Sequence, residues 1–405
     1  MQIKKISSDF GLNVLSSIAL VMTMQLFVYP KIASTFDANT YGSILTIMAV
    51  INTVLATFGN GLNNLRLITN EEYHREGLIG DFNLLLVASL VVITIGAFLS
   101  ACYFSFTVVE MLAFWLIVVL AVIRTYLSVS FRMLLNYKKI LLMNLLMSTA
   151  YILATIAYLD FHGMGYWYLI FLLAEVVSVV YLVKETDLLK EPFVKTELFS
   201  TVMRKYGNLI YLTLMGNLLL YMDRNLLYPL LGGAAVAIFF AATMVGKTVG
   251  IVIQPMAGVL LSYFSQVDFV MNRKKFWKIN LTFCMVCLLS YIVTIFVADF
   301  VVQHLYASLY QEARPYLYLA NLIPFLGILG SMAQPAVLRY VSLNIQSLFQ
   351  TIYLVISVGV SYFFAVYYGL LGFCYAAILL SVLRIGVLWW LGDTEIKGKK
   401  QITYN

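Results

Sequence analysis

The sequence predicts an all-α polytopic membrane protein, with about twelve transmembrane helices in two six-helix lobes. Three observations predict it. Of 405 residues, 62% are hydrophobic and 11% are charged, with a mean hydropathy of +0.91; a soluble domain carries about 25% charged residues. A spanning helix needs ~20 apolar residues, so this length with short connections accommodates roughly twelve. The apolar runs are also too long and too aromatic for outer-membrane strands of ~10 alternating residues, which leaves a helical bundle.

The runs place spans at approximately 9–31, 40–64, 80–104, 111–135, 139–159, 165–183, 206–230, 234–263, 277–301, 312–336, 343–366 and 370–391. Lys4 and Lys5 precede the first run as in a secretory signal. That run is too long for one, and it closes on Tyr29-Pro30-Lys31 rather than on a small-residue cleavage site, so it reads as an uncleaved first helix. Span two follows a short polar turn and ends on Gly59-Asn60-Gly61-Leu62, with Arg66 just beyond. Arg124 lies near the middle of span four and Glu175 near the middle of span six. The longest connection, 184–205, is mixed in charge and divides the chain into an N-terminal lobe (1–183) and a C-terminal lobe with a short tail (206–405).

Span seven reads Tyr221-Met222-Asp223-Arg224-Asn225 and then Tyr228-Pro229, followed by a Gly232-Gly233 turn. Span eight carries Lys247 inside Gly246-Lys-Thr-Val-Gly250, a spacing that lets helices approach closely. Pro255, Pro324 and Pro335 interrupt spans eight and ten, where bent helices either act as hinges or pack a curved bundle. Arg384 sits in the central-to-inner part of span twelve. Both halves open with a helix closing on Tyr-Pro, then a hairpin to a glycine-containing helix ending at Gly59 or near Met256-Ala257-Gly258. This predicts two copies of like orientation, with a substrate site between them.

One set of connections holds nearly all the loop lysines and arginines, and the opposite set holds Lys31 and Arg314. The positive-inside rule therefore predicts cytoplasmic termini. The net charge of +7 serves insertion and the anionic inner leaflet, and implies no nucleic acid. The four cysteines fall in or beside apolar runs and read as thiols buried in the lipid. His74, His162 and His304 are scattered, so no metal site is expected.

A full charge at a helix centre costs at least ~2.5–3.5 kcal/mol, so intramembrane charges usually face a bundle interior or a wet cavity. Arg124, Arg224, Lys247 and Arg384 against Glu175 and Asp223 make the interior cationic. Such an interior suits a concentrated anion, which Arg and Lys bind through charge-assisted hydrogen bonds. Some of these charges have a structural alternative. Arg124 and Glu175 are able to form a bridge between helices, Asp223 and Arg224 to neutralise each other, and Arg384 to snorkel. The tyrosines mostly suit interfacial belts, with Tyr221 beside Asp223 a candidate to stack on sugar.

On these residues the chain resembles the Wzx-type polysaccharide flippases. Their superfamily also holds the multidrug-extrusion (MATE) transporters and the lipid II flippases. Asp223-Arg224-x-x-Leu227 before Gly232-Gly233 is similar to that group's DR-x-x-L…G segment. Asn39-Thr40-Tyr41-Gly42 is similar to its polar turn opening helix two, and Gly59 to Arg66 (GNGLNNLR) to that helix's glycine-rich end. The resemblance implies a MATE-like fold of twelve helices around a central cavity. It also implies transfer of undecaprenyl-pyrophosphate-linked oligosaccharides across the cytoplasmic membrane, beside a polysaccharide polymerase. No cofactor is implied, and H⁺ or Na⁺ is a candidate coupling ion. Arg224, Lys247, Arg124, Asp223, Arg384 and Tyr221 are the expected cavity residues, and Glu175 and Arg66 the expected gating or coupling residues.

The nearest rival is a cation-coupled drug antiporter, which needs a buried titratable carboxylate. Spans one and two have none deep, though Glu175 and Asp223 remain. Outer loops of about ten residues argue against a membrane glycosyltransferase or polymerase. No filter repeat points to a channel, and no G-x-x-x-x-G-K-[ST] points to ATP.

Overall fold

The computed structural model describes residues 2–161, 166–253, 271–341 and 343–402, and among them every regular element is a helix. Ten of these helices are long and apolar enough to cross a membrane. A turn at Gly369 (φ 61°) divides the last of them. Phe199–Leu220 continues through a break into residues 222–231, and Gly232 (φ 81°) separates that piece from the next helix. The described residues thereby supply the expected set of spans.

Helix α1 covers residues 2–35, and just before Tyr29-Pro30 it widens into a π turn at Met24–Val28. Proline brings no N–H to the helix ladder, and a wider turn absorbs the lost bond. Helix α2, Ala38–Glu76, starts where the Asp37 carboxylate accepts the Asn39 and Thr40 amides at 2.9 and 3.1 Å. It contains a second π turn, Leu55–Gly59, and ends at Gly77 in a left-handed conformation. Helix α3 is Phe82–Tyr103, and α4 is Val108–Met133, opened by a Thr107–Glu110 capping box. Helix α5 runs over residues 137–161 and α6 over Trp167–Glu185.

Helix α7 occupies residues 199–231. It does not run unbroken as expected: the chain leaves helical geometry at Tyr221 (φ −104°, ψ 15°), midway along the span. Conversely, Pro229 lies inside a continuing helix, and the turn comes at Gly232. Helix α8 spans 233–253, α9 is Arg273–Leu305, α10 covers 310–340, and α11 (343–368) and α12 (370–402) flank the Gly369 turn. Pro255, residues 256–260 and His162 lie outside the described residues.

The chain forms two compact units. The first comprises Met1–Thr35 and Ile47–Tyr221, the second Phe36–Thr46 and Met222–Asn405. Helix α2 thus starts in the second unit and finishes in the first, and α7 is divided at its own break. The 184–205 connection is fastened within the first unit. Asn83 donates to the carbonyls of Leu188 and Glu191 at 3.1 and 2.9 Å, and buried Asp81 accepts from Tyr73 (2.5 Å), from the Thr196 amide (2.9 Å) and from the Thr196 hydroxyl. In the second unit the core forms around Phe325, Ile328, Met332 and Ile385.

Candidate functional site

The break in α7 sets the geometry of the second unit's charged cluster. With the helix restarting at Met222, Asp223 falls in the first turn of the new segment, where the positive end of the helix dipole favours a carboxylate. Its Oδ1 accepts the Arg224 amide at 2.9 Å, and its Oδ2 accepts Lys247 Nζ at 2.5 Å. The Lys247 ammonium also lies 5.6 Å from the Phe239 ring centroid and 6.0 Å from that of Phe240. Arg224 is buried, donates to the Leu45 carbonyl at 3.3 Å, and stands 4.9 Å above Phe240. Aromatic faces carry partial negative charge and accommodate cations in a dry setting. Tyr221, at the break, is half-buried.

The start of α2 closes this site. The Gly233 amide donates to Asn39 Oδ1 at 2.9 Å, and a Cβ on Gly42 would lie 1.7 Å from the Gly233 carbonyl oxygen. Only glycine permits two backbones so close. The Tyr41 ring sits 6.2 Å from that of Phe240 and 6.4 Å from that of Tyr306. The two segments singled out in the sequence, Asn39–Gly42 and Gly232–Gly233, therefore meet against one another beside Arg224. Asp37, outside the spans, is held below the usual carboxylate range by its hydrogen bonds to the Thr40 side chain and amide, so it keeps its charge at the start of α2.

Arg124 and Glu175 lie in the first unit and form a two-point bridge, Nε to Oε2 at 2.6 Å and Nη2 to Oε1 at 3.1 Å. Their side chains are 13% and 6% accessible, against 29% and 12% for Lys247 and Asp223, so the first pair is the drier. Arg66 makes a bidentate contact with Glu191, donates to the Tyr126 hydroxyl at 2.9 Å, and stacks 4.6 Å above Phe82. It ties α2 to the 184–205 connection. Arg384 is not grouped with the Arg224 cluster by any described contact; its guanidinium lies 5.6 Å from the Tyr353 ring centroid. Among the described residues, no three His, Cys, Asp or Glu side chains converge as metal ligands would.

Sequence reasoning missed three contributors: the Leu45 carbonyl, the Phe239-Phe240 pair and Asn321. The first two leave no signal, because a backbone oxygen has no letter and phenylalanine is abundant here. Asn321 had one, an amide side chain alone in the apolar run Leu-Ala-Asn-Leu-Ile-Pro.

No family model and no curated protein matches the chain. Solved structures do match in fold. An inward-facing multidrug resistance MATE family transporter of the MOP superfamily superposes with a TM-score of 0.66 at 14% identity, covering 96% of each chain. The lipid II flippase MurJ in an inward closed conformation gives 0.66 at 12% identity, covering 93% of this chain and 87% of that one. A Vibrio cholerae MATE transporter, VcmN in its bent form, gives 0.57 at 12% identity over 98% of each. The chain is a multi-pass helical membrane protein with the MATE-type transporter fold.

Proposed function

We propose that the protein is a flippase that carries undecaprenyl-pyrophosphate-linked oligosaccharide units across the cytoplasmic membrane by alternating access, for capsule, O-antigen or exopolysaccharide assembly. Both termini would be cytoplasmic. It performs no covalent chemistry, needs no cofactor, and hands its product to a polysaccharide polymerase. The expected two six-helix lobes and the cavity between them are part of this proposal.

The observation that carries the reading is the charge balance of the second unit. Arg224, Lys247 and Arg384 stand against Asp223, while Arg224 is buried against a carbonyl and a ring. A site with surplus cation in a low-dielectric setting gains most from a ligand that brings negative charge, and a lipid pyrophosphate brings it compactly. Arg224 and Lys247 are assigned to the pyrophosphate, Tyr221 to sugar stacking, and Arg384 to a flanking contact, while Arg124 is assigned to the bundle. Arg66 is assigned to gating, with H⁺ or Na⁺ as the driving ion; Glu175, also expected in that role, is instead assigned to its bridge with Arg124.

The fold is equally that of the drug antiporters, and the likeness to the lipid II flippase supports a related reading, transfer of another lipid-linked precursor. A cation-coupled antiporter needs a buried carboxylate free to take up its ion. Glu175 and Asp223 are each already met by a cation, at 2.6 and 2.5 Å, which favours the flippase. The test is Arg224→Ala and Arg224→Lys in the native host, scored by surface polysaccharide at matched expression. Polymer is expected to disappear with Ala and to fall with Lys, whose ammonium lacks the planar fork. Normal polymer with both removes Arg224 from the mechanism. Raised resistance to cationic drugs on expression in a pump-deficient host would favour the antiporter.

A further inference from the structure

Lys247 reaches Asp223 from a stretch of α8 whose backbone is engaged by another helix. In a regular α-helix the Gly246 amide bonds to the Ala242 carbonyl. Here the buried Asn321 side chain of α10 engages both groups. Its Nδ2 donates to Ala242 O at 2.6 Å, and its Oδ1 accepts Gly246 N–H at 2.8 Å. The second Nδ2 hydrogen goes to Leu317 O at 2.9 Å, so both donor positions are filled. Gly246 makes the approach possible: a Cβ there would lie 2.9 Å from Asn321 Oδ1, 3.0 Å from Asn321 O and 3.3 Å from the Pro324 ring.

A buried carboxamide that bonds both groups, with every donor satisfied, has no competing arrangement of similar energy, so it fixes the rotation and register of α8 against α10. The residue after Gly246 is Lys247. We infer that Asn321 is the positioning residue for Lys247: by occupying the hydrogen-bonding groups of Ala242 and Gly246, it sets the register in which the ammonium meets Asp223. Gly246 and Pro324 serve the same end by letting α10 lie against the α8 backbone. Replacing the amide with an apolar side chain of similar size would remove both contacts from the α8 backbone. Helix α8 would then be free to turn or slide against α10 and carry Lys247 away from Asp223.

The inference deepens the reading of the second-unit cluster and depends on that reading only for its transport arm. The experiment uses the purified full chain in nanodiscs, treated with a small amine-acylating reagent, with modification of each lysine quantified by mass spectrometry. Asn321→Leu and Gly246→Ala attack the contact from opposite sides, so one remains if the other does not accumulate. Asp223→Asn gives the rate for an unpaired Lys247. Lys247 is expected to react about tenfold faster in both variants, the scale of losing one hydrogen bond to a charged group, with Lys139 and Lys205 of the first unit unchanged. Unchanged labelling of Lys247 in a folded variant overturns the inference whatever transport does. A parallel rise at Lys139 and Lys205, which marks general loosening, overturns it too. Faster labelling with undiminished polysaccharide export upholds the positioning role and overturns the transport role of the cluster.

Discussion

In the first unit Arg124 and Glu175 cancel each other through two hydrogen bonds, one positive group against one negative, almost out of reach of solvent. In the second unit Asp223 meets Lys247 through one short contact. The next residue, Arg224, adds a second cation, and the pair stays about twice as accessible. Both sites place full charge deep in apolar helices, but only one is balanced. A balanced bridge between α4 and α6 resembles a fixture of the bundle. It costs desolvation to build and is strongly missed only when one partner is removed. An unbalanced cluster is less stable by itself, and it retains capacity for a further anion. The contrast separates charges that hold helices together from charges available to a ligand.

The largest expected effect breaks the balanced side. Arg124→Ala or Glu175→Ala leaves an uncompensated buried charge and should cost ~3–5 kcal/mol, read as thermal unfolding of the solubilised protein. The double replacement Arg124→Met with Glu175→Leu should recover most of that and keep export. If the double variant is as unstable as the singles, the bridge is not a replaceable fixture. Next comes the matching swap in the second unit, Asp223→Leu with Lys247→Met. The fold should persist while export falls roughly 10–100-fold, the scale of a lost charge-assisted hydrogen bond. Equal export from the two double variants would erase the distinction between the units. Gly42→Ala or Gly233→Ala comes third, because each methyl would collide with backbone, at 1.7 Å from Gly233 O and 2.1 Å from Asn39 O. A loss of ~1–3 kcal/mol in melting is expected, with export reduced beyond what stability explains.

Asp37→Ala should have the smallest effect. It removes the cap where α2 brings Asn39 and Leu45 to the cluster. The folded-state carboxyl titrates below its ordinary range, so its stabilisation is fully present above that range and fades as pH falls through the lowered value. The melting difference between wild type and variant should therefore be constant near neutrality and shrink only in strong acid. A gap that widens on acidification contradicts the capping role.

Much of the fold was legible because a bilayer imposes one period and one length. The apolar runs located every described span, and the Gly-Gly step correctly marked the turn after α7. The isolated charges were equally legible, since each stands against an apolar background. Their partners were legible only in part. The bridge from Arg124 to Glu175, 51 residues away, stood among the alternatives, but Asp223 was matched with its neighbour Arg224 rather than with Lys247, 24 away, because facing depends on helix rotation, which composition does not encode. The break at Tyr221 was hidden for a related reason: attention falls on Pro229, yet the restarted helix runs through that proline and ends only at the Gly232 turn. The hold on the long polar connection was likewise hidden, because Asp81, Asn83 and Arg66 reach it from elements 105 to 125 residues earlier in the chain.

Helix α2 belongs at its start to one unit and for the rest of its length to the other. A gene severed anywhere after residue 46 would give a C-terminal product lacking Asn39, Gly42 and Leu45. The Gly233 amide would lose its Asn39 acceptor and Arg224 the Leu45 carbonyl. Coexpressed halves would have to meet before the second could mature, and a fragment-complementation screen with the cut moved along residues 30–50 would trace that dependence.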